Sequence, residues 1–325
     1  MRLLITGGSG FVGLAIAEAA VAAGAEVAIF ANRAPPPALL AAAGGNAIRV
    51  TLGDIVSASD VAAAFAAVKP SHVVHGAALT PALDREWPLA GDLFAVNVVG
   101  TVILVKAAID AGVQAIVTLS SNGIFGGVDL AEGPVSETRD PQPEGLYGIS
   151  KREAEHVAMR MAEMTRANLV VTRLGSVYGP FEYESGVRSI MSPQLQMARA
   201  ARAGVPAKLS WAMRSDWVYS RDVAAGVLTA LTSEGLSRQT FHISGGAKSD
   251  MLGWGALLAN RFPNWTVGLA RPDETPNIAY RGMEERASLD TSRFTAATGF
   301  EPAFNQQQAA DDFLAWLDRW GDRHG

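Results

Sequence analysis

Seven residues near the start of the chain, Gly7-Gly8-Ser9-Gly10-Phe11-Val12-Gly13, constrain the fold more than any other stretch. They follow the short apolar run from Arg2 to Ile5 and precede a helical pattern from Leu14 to Ala23. The order is strand, glycine turn, helix. Gly7 permits the tight turn, Gly10 lets backbone N–H groups approach a pyrophosphate, and Gly13 lets the helix lie close to the strand. The helix N-terminus then faces the phosphates with its partial positive charge. Phe11 and Val12 belong to that terminus and join the three glycines as dinucleotide contacts.

Further strands follow at regular spacing: Glu26 to Phe30, Ile48 to Leu52, Val73 to His75, Ala115 to Leu119 and Leu169 to Leu174, with helical patterns between them. Repeated β-then-α units predict an α/β fold, a Rossmann-type doubly wound parallel sheet. Such sheets bind ligands at the carboxyl ends of their strands. Gly7, Asp54, Ala77, Ser121 and Ser176 all fall at such ends, which predicts one shared site. After Pro180 the pattern becomes mixed. Residues 1–180 read as an NAD(P)-binding domain that also receives a strand near 239–246. Residues 181–325 read mainly as a smaller, interleaved C-terminal substrate-binding lobe.

NAD enzymes usually place an acid after the second strand for the ribose 2′-hydroxyl. Here Ala31, Asn32 and Arg33 stand there, none of them acidic. Arg33 is suited to pair with a 2′-phosphate, so the reading is NADP ahead of NAD, with Asn32 and Arg33 both at the cofactor. Asp54, with Ile55 beside it, is placed to accept from the adenine amino group or to cap the next helix. Ala77 and Ala78 are small enough for the backbone to lie along the cofactor. Thr80, in the loop beyond, is a candidate for substrate contact, whereas His75 reads as packing.

Composition narrows the class. With 325 residues, 49% hydrophobic and 18% charged, the chain can bury a sizeable core. A net charge of -5 and the lack of a long basic run argue against nucleic acid. No uninterrupted apolar stretch looks long enough to span a bilayer. Absent cysteines exclude disulfides and thiolate metal sites and fit a cytoplasmic protein. The histidines are scattered, so no metal site is predicted.

The chemistry points to Leu146-Tyr147-Gly148-Ile149-Ser150-Lys151. Residues four apart share one helix face. A phenol is a poor acid or base at neutral pH, but an ammonium held beside it favours the phenolate. Tyr147 and Lys151 therefore form a candidate proton-transfer pair.

In this order the motifs resemble the extended short-chain dehydrogenase/reductase family, in its NAD-dependent epimerase/dehydratase branch. The matching stretches are Thr6 to Gly13, Asp54, His75-Gly76-Ala77-Ala78, Asn97, Ser120-Ser121, Tyr147 to Lys151, Arg173, Val177-Tyr178-Gly179-Pro180 and Asp216 to Asp222. The resemblance implies that Ser121 hydrogen-bonds the reacting oxygen, that Tyr147 is the acid or base, and that Lys151 supports it and holds the nicotinamide ribose. It makes Asn97 either a support for the lysine through water or a structural asparagine. It also implies a homodimer, paired through the helix after Asp92 and the Tyr147 helix. Met159 and Met161 add apolar surface to the latter, though packing within one chain explains them equally.

Departures from the family pattern matter as much. Dehydratases of this family carry Asp-Glu directly after the active-site serine or threonine, where this chain has Asn122 and Gly123. Ser176 stands where many sugar-nucleotide enzymes have asparagine, and the usual arginine is displaced to Arg214. Asn122, Ser176, Arg188 and Arg214 are thus the substrate-side candidates with Thr80. The expected activity is NAD(P)-dependent interconversion of a secondary alcohol and a carbonyl on a sugar, sugar acid or related small molecule. A nucleotide-sugar epimerase would use the same residues. A cofactor-sensing protein without chemistry is the third reading, and the intact tyrosine and lysine count against it.

Overall fold

The computed structural model describes residues 1–126, 133–186, 190–280, 285 and 287–321. Seven parallel strands make the main sheet: β1 (Arg2–Thr6), β2 (Glu26–Ala31), β3 (Ile48–Leu52), β4 (His72–His75), β5 (Ala115–Ser121), β6 (Leu169–Leu174) and β10 (Gln239–Ile243). Their spatial order is β3-β2-β1-β4-β5-β6-β10. The order reverses at β1, whose neighbours are β2 and β4, and a crevice opens at such a point. Thr6 pairs with Phe30 and with His75, and Ser121 with Leu174, so the carboxyl ends line up along one edge.

The central strands are covered on both faces, which is why they read as continuous apolar runs. Successive side chains alternate between two cores. Leu3 and Ile5 pack on one face with Leu14, Ile16, Val223 and Phe313. Leu4 packs on the other with Phe65, Leu104, Ala158 and Ala162. The helices Phe11–Ala22, Ser220–Thr232 and Gln306–Trp320 thus serve the first face, and Ala58–Val68, Gly100–Asp110 and Leu146–Thr165 the second.

The sequence offers no uninterrupted apolar run long enough for a bilayer, but the fold holds one interrupted helix of that length and composition. Ala90–Asp110 is one helical run of 21 residues, long and apolar enough to cross a membrane by length and composition. Asp92, Asn97 and Lys106 interrupt it in sequence and hid its overall hydropathy. In the fold it is a layer helix: Leu93, Leu104, Val105 and Ala108 are wholly buried, and a π turn at Ala95–Val99 carries Asn97 inward.

Two short parallel pairs build the remainder, β7 (Ser176–Tyr178) with β9 (Trp217–Tyr219) and β8 (Ala207–Leu209) with β11 (Val267–Leu269). Phe181 against Trp316 and Tyr178 against Trp254 are edge-on ring pairs that fill this region. Arg221 spans from Glu18 at 2.7 Å to Asp312 at 2.5 Å and fastens the last helix to the first.

One buried ion pair fixes the helix that carries Tyr147. Arg173 on β6 meets Glu155 with Nη2–Oε2 at 2.8 Å and Nε–Oε1 at 3.1 Å, and its guanidinium lies 5.2 Å over the Phe125 ring. Breaking such a pair leaves an uncompensated charge inside the protein. Glu155→Leu should therefore cost about 3–5 kcal/mol in urea unfolding, while Glu155→Leu with Arg173→Met should cost much less. Equal losses in the two variants would contradict this account.

Candidate active site

A cavity of about 400 Å³ runs along the carboxyl edge of the sheet. At its front, Gly7 takes φ +66°, and an added Cβ there would lie 2.7 Å from the backbone of Gly76 and Ala77. The turn is therefore locked against the end of β4. At Gly13 a Cβ would stand 2.4 Å from the Gly7 carbonyl oxygen, so helix and turn touch through backbone alone. The helix Phe11–Ala22 opens at Gly10 with no side-chain cap, and its first turn lines the cavity. This cradle of glycine backbone and helix N-terminus fits a dinucleotide pyrophosphate.

Most of the residues singled out in the sequence meet here. Gly7, Gly10, Phe11, Val12, Gly13, Asn32, Arg33, Asp54, Ile55, Ala77 and Ala78 line the cavity, as do Thr80, Ser121, Asn122, Tyr147, Lys151 and Ser176. Asp54 does not cap the following helix. Ser57 does, accepting from the Asp60 N–H at 3.2 Å, while Asp54 Oδ1 accepts from the Val56 N–H at 3.1 Å. Arg33 donates to the Ser185 carbonyl, and the Tyr183 hydroxyl donates to the Ser9 carbonyl at 3.0 Å. Chain beyond Pro180 thus reaches back over the phosphate turn.

Three sequence-based assignments stand differently. Asn97 does not reach the cavity. It is buried below it, where Oδ1 accepts from the Leu79 N–H at 2.8 Å and Nδ2 donates to Ser150 Oγ at 2.9 Å. Its side chain thus bonds to the Leu79 main chain and to Ser150, as the structural alternative expects. Arg214 is likewise outside the lining, half exposed and 3.8 Å from Glu285. Arg188 lies outside the described residues.

Trp217 and Tyr183 also line the cavity, and Tyr280 joins them with its ring 5.2 Å from Trp217. No motif pointed to Tyr280. It sits in a stretch without periodicity, and only the fold brings it to Trp217. Trp211 meets Tyr280 as a tilted ring pair, at 6.1 Å, and Phe181 and Tyr178 are core.

At the centre, Ser121 ends β5 and its Oγ accepts from the Gly123 N–H at 3.1 Å. A Cβ built on Gly123 would lie 3.4 Å from that oxygen and 3.5 Å from the Tyr147 ring, so position 123 faces the same spot as the serine and the phenol. Lys151 Nζ donates to the Leu119 carbonyl at 2.6 Å and is buried. His75 is tied to Thr6 at 2.7 Å and Thr101 at 2.9 Å. Burial, reinforced by Lys151, pushes it down to about 3, so it is a neutral packing group.

An α/β crevice with a phosphate turn at one end and a tyrosine–lysine helix at the other defines a dinucleotide-dependent enzyme of the extended short-chain dehydrogenase/reductase type. The chain belongs to the NAD dependent epimerase/dehydratase family, whose model matches residues 3–244. The dTDP-L-rhamnose 4-epimerase of Burkholderia thailandensis is 24% identical, over 99% of this chain and 96% of its own. A dTDP-glucose 4,6-dehydratase of Streptomyces antibioticus is 27% identical, over 93% and 88%. Among solved structures, the UDP-glucose 4-epimerase of Thermus thermophilus in complex with NAD is 25% identical with a TM-score of 0.79, covering 98% of this chain and 99% of its own.

Burial lowers the Lys151 ammonium to about 8, with Glu155 opposing. A lysine whose pKa falls on folding destabilises the native state while it is charged. That cost is fully present below about pH 8 and fades as the pH approaches the unfolded value of about 10.4. Lys151→Met should accordingly raise Tm at pH 7, by an amount on the order of 3 kcal/mol in stability, with the advantage shrinking between pH 8 and 10. A Tm difference that stays constant across that range would contradict the assignment.

Proposed function

We propose that this protein interconverts a secondary alcohol and a carbonyl on a sugar, sugar acid or related small molecule by NAD(P)-linked hydride transfer. The observation that carries the reading is that Ser121, Tyr147 and Lys151 line the same cavity as the phosphate turn. The nicotinamide, when bound, supplies the hydride chemistry that side chains cannot. Ser121 Oγ holds the reacting oxygen by a hydrogen bond. The Tyr147 phenolate takes the alcohol proton in oxidation, and the phenol returns it in reduction. Lys151 supplies positive charge along the same helix face, which favours the phenolate, and is placed to hold the ribose.

Elimination of water is not part of this reading. Position 123 faces the phenol and the serine, and the glycine there brings no acid to move a second proton. A nucleotide-sugar epimerase is the second reading, favoured by the similarity to the Burkholderia epimerase along nearly the full length of both chains. Cofactor retained through purification, with substrate isomerised and no net change in reduced nicotinamide, would select it. Residues 1–180 with β10 would hold the cofactor and the rest would shape the substrate end, with Trp217, Tyr280, Thr80, Asn122 and Ser176 as walls.

A homodimer fits this chain as well. Val99 and Met164 are exposed on the helices that would pair, at 50% and 70%, whereas Met159 and Met161 pack within the chain. The lack of an acid after β2 supports NADP over NAD. Two findings weigh on the other side: Arg33 already donates to Ser185, and the Thermus epimerase was solved with NAD.

Tyr147→Phe should abolish hydride transfer, by roughly a hundredfold or more, and leave dinucleotide affinity within about twofold. Unchanged turnover in a sugar, sugar-acid and nucleotide-sugar screen would sink the role given to Tyr147. In a parallel titration NADP should bind more tightly than NAD, and Arg33→Ala should remove the preference. Tighter binding of NAD by the unaltered protein would overturn the Arg33 argument.

A further inference from the structure

Glu86 ends the short helix Leu83–Glu86, in the loop that follows β4. It belongs to no motif and does not line the cavity. Its side chain is nonetheless turned inward, with the residue only 9% exposed. Oε2 accepts from the Leu146 N–H at 2.9 Å and Oε1 from the Tyr147 N–H at 3.1 Å. These are first-turn donors of the helix Leu146–Thr165, which such a helix cannot satisfy internally. The helix opens at Gly145 with no side-chain cap of its own. A carboxylate from 60 residues away supplies that cap, and its charge meets the positive end of the helix dipole.

Gly145 makes the arrangement possible. A Cβ there would stand 2.9 Å from Glu86 Oε1. Its φ of −98° and ψ of 158° are open to any residue, so space for the carboxylate is what glycine provides.

The same stretch of chain grips Tyr147 from the other side. The Tyr147 carbonyl accepts from Ser150 Oγ at 2.8 Å, Ser150 Oγ accepts from Asn97 Nδ2, and Asn97 binds the backbone of Leu79. Both polar groups of the Tyr147 main chain are thereby tied to residues 79–97. Leu79 and Thr80, at the front of that stretch, line the cavity.

We propose that Glu86 is a positioning residue: its carboxylate anchors the first turn of the Tyr147 helix and sets the phenol over the reacting centre, coupling the 79–86 loop to the chemistry. The proposal rests on the acid–base role given to Tyr147 above. Displacing a catalytic group by about 1 Å can cost around a hundredfold in rate, so a loosened anchor should act on kcat.

Amide exchange tests the anchor without any substrate. In Glu86→Ala, exchange at the Leu146 and Tyr147 amides should accelerate by about tenfold or more, with NAD(P) affinity within about twofold of the parent. Gly145→Ala, which keeps Glu86 but crowds its carboxylate, should do the same. Turnover of whichever sugar or nucleotide sugar the parent accepts tests the consequence. kcat should fall by roughly tenfold or more in both variants with KM little changed, and Glu86→Gln should recover part of it through its one acceptor oxygen. Glu86→Ala combined with Gly145→Ala should fall no further than Glu86→Ala alone, since both remove one interaction.

Unchanged amide exchange in both single variants overturns the anchor. Faster exchange with unaltered kcat, a change confined to KM, or additive losses in the double variant overturn the positioning role. If Glu86→Ala does not fold, Gly145→Ala and Glu86→Gln carry the same comparisons. A parent protein that turns over nothing in the screen would count against the proposed function, and the exchange measurement would still decide the anchor.

Discussion

A positive charge buried at the junction of sheet and helix is the constraint around which this structure is arranged. Lys151 lies under the cavity, 7% exposed, with its ammonium on the Leu119 carbonyl. An ammonium removed from water loses hydration that few contacts replace. Around it stand the strand carbonyl, a neutral His75 held by two threonines, and Glu155 one helical turn further on, whose charge favours the ammonium. Glu155 is in turn committed to Arg173 on β6. The lysine thus has no ion pair of its own among the described residues, which is what its proposed action on the phenol and on a bound cofactor requires.

That requirement sets the demands on the helix Leu146–Thr165. Its buried face must be nearly continuous, and Gly148, Ser150, Lys151, Ala154, Glu155 and Ala158 are all buried. Small residues let it sit close to β5. A Cβ at Gly148 would stand 2.5 Å from the Gly123 carbonyl, so the helix and the turn after β5 touch through backbone. Close backbone contact of this kind leaves little room for the helix to slide, and it fixes Tyr147 relative to Ser121 through main-chain geometry before any side chain contributes.

The elements of the fold were legible because their signals are local. The glycine turn, the apolar strands and the Tyr147–Lys151 spacing each sit within a dozen residues, and the strand ends they mark do gather on one edge. The strand near 239–246 was also placed correctly beside the sheet. Other features were not legible because they depend on contacts far apart in sequence. Asn97 has the family's position, but its partners Leu79 and Ser150 show that it braces backbone. Arg214 sits one residue from the expected place, and that small offset turns it toward Glu285 and solvent. Tyr280 and Glu86 carry no periodicity and match no motif. The apolar character of Ala90–Asp110 was concealed by three polar residues, one of which a π turn carries into the interior.

The two halves of the chain meet at the phosphate turn, and this bears on how the site works. Tyr183 and Ser185 belong to the segment after β7, yet they bond to Ser9 and Arg33, on the turn after β1 and at the end of β2. The cofactor end of the cavity is therefore bounded by main chain from both halves. A dinucleotide bound at this end would lie beside elements joined by these contacts. An enzyme that releases reduced cofactor exchanges it every cycle, whereas one that oxidises and re-reduces a single centre does not. The geometry of the catalytic wall is the same for both reactions. The contacts at Ser9 and Arg33, which tie the segment after β7 to the phosphate turn, are where the two reactions would place different demands on this fold.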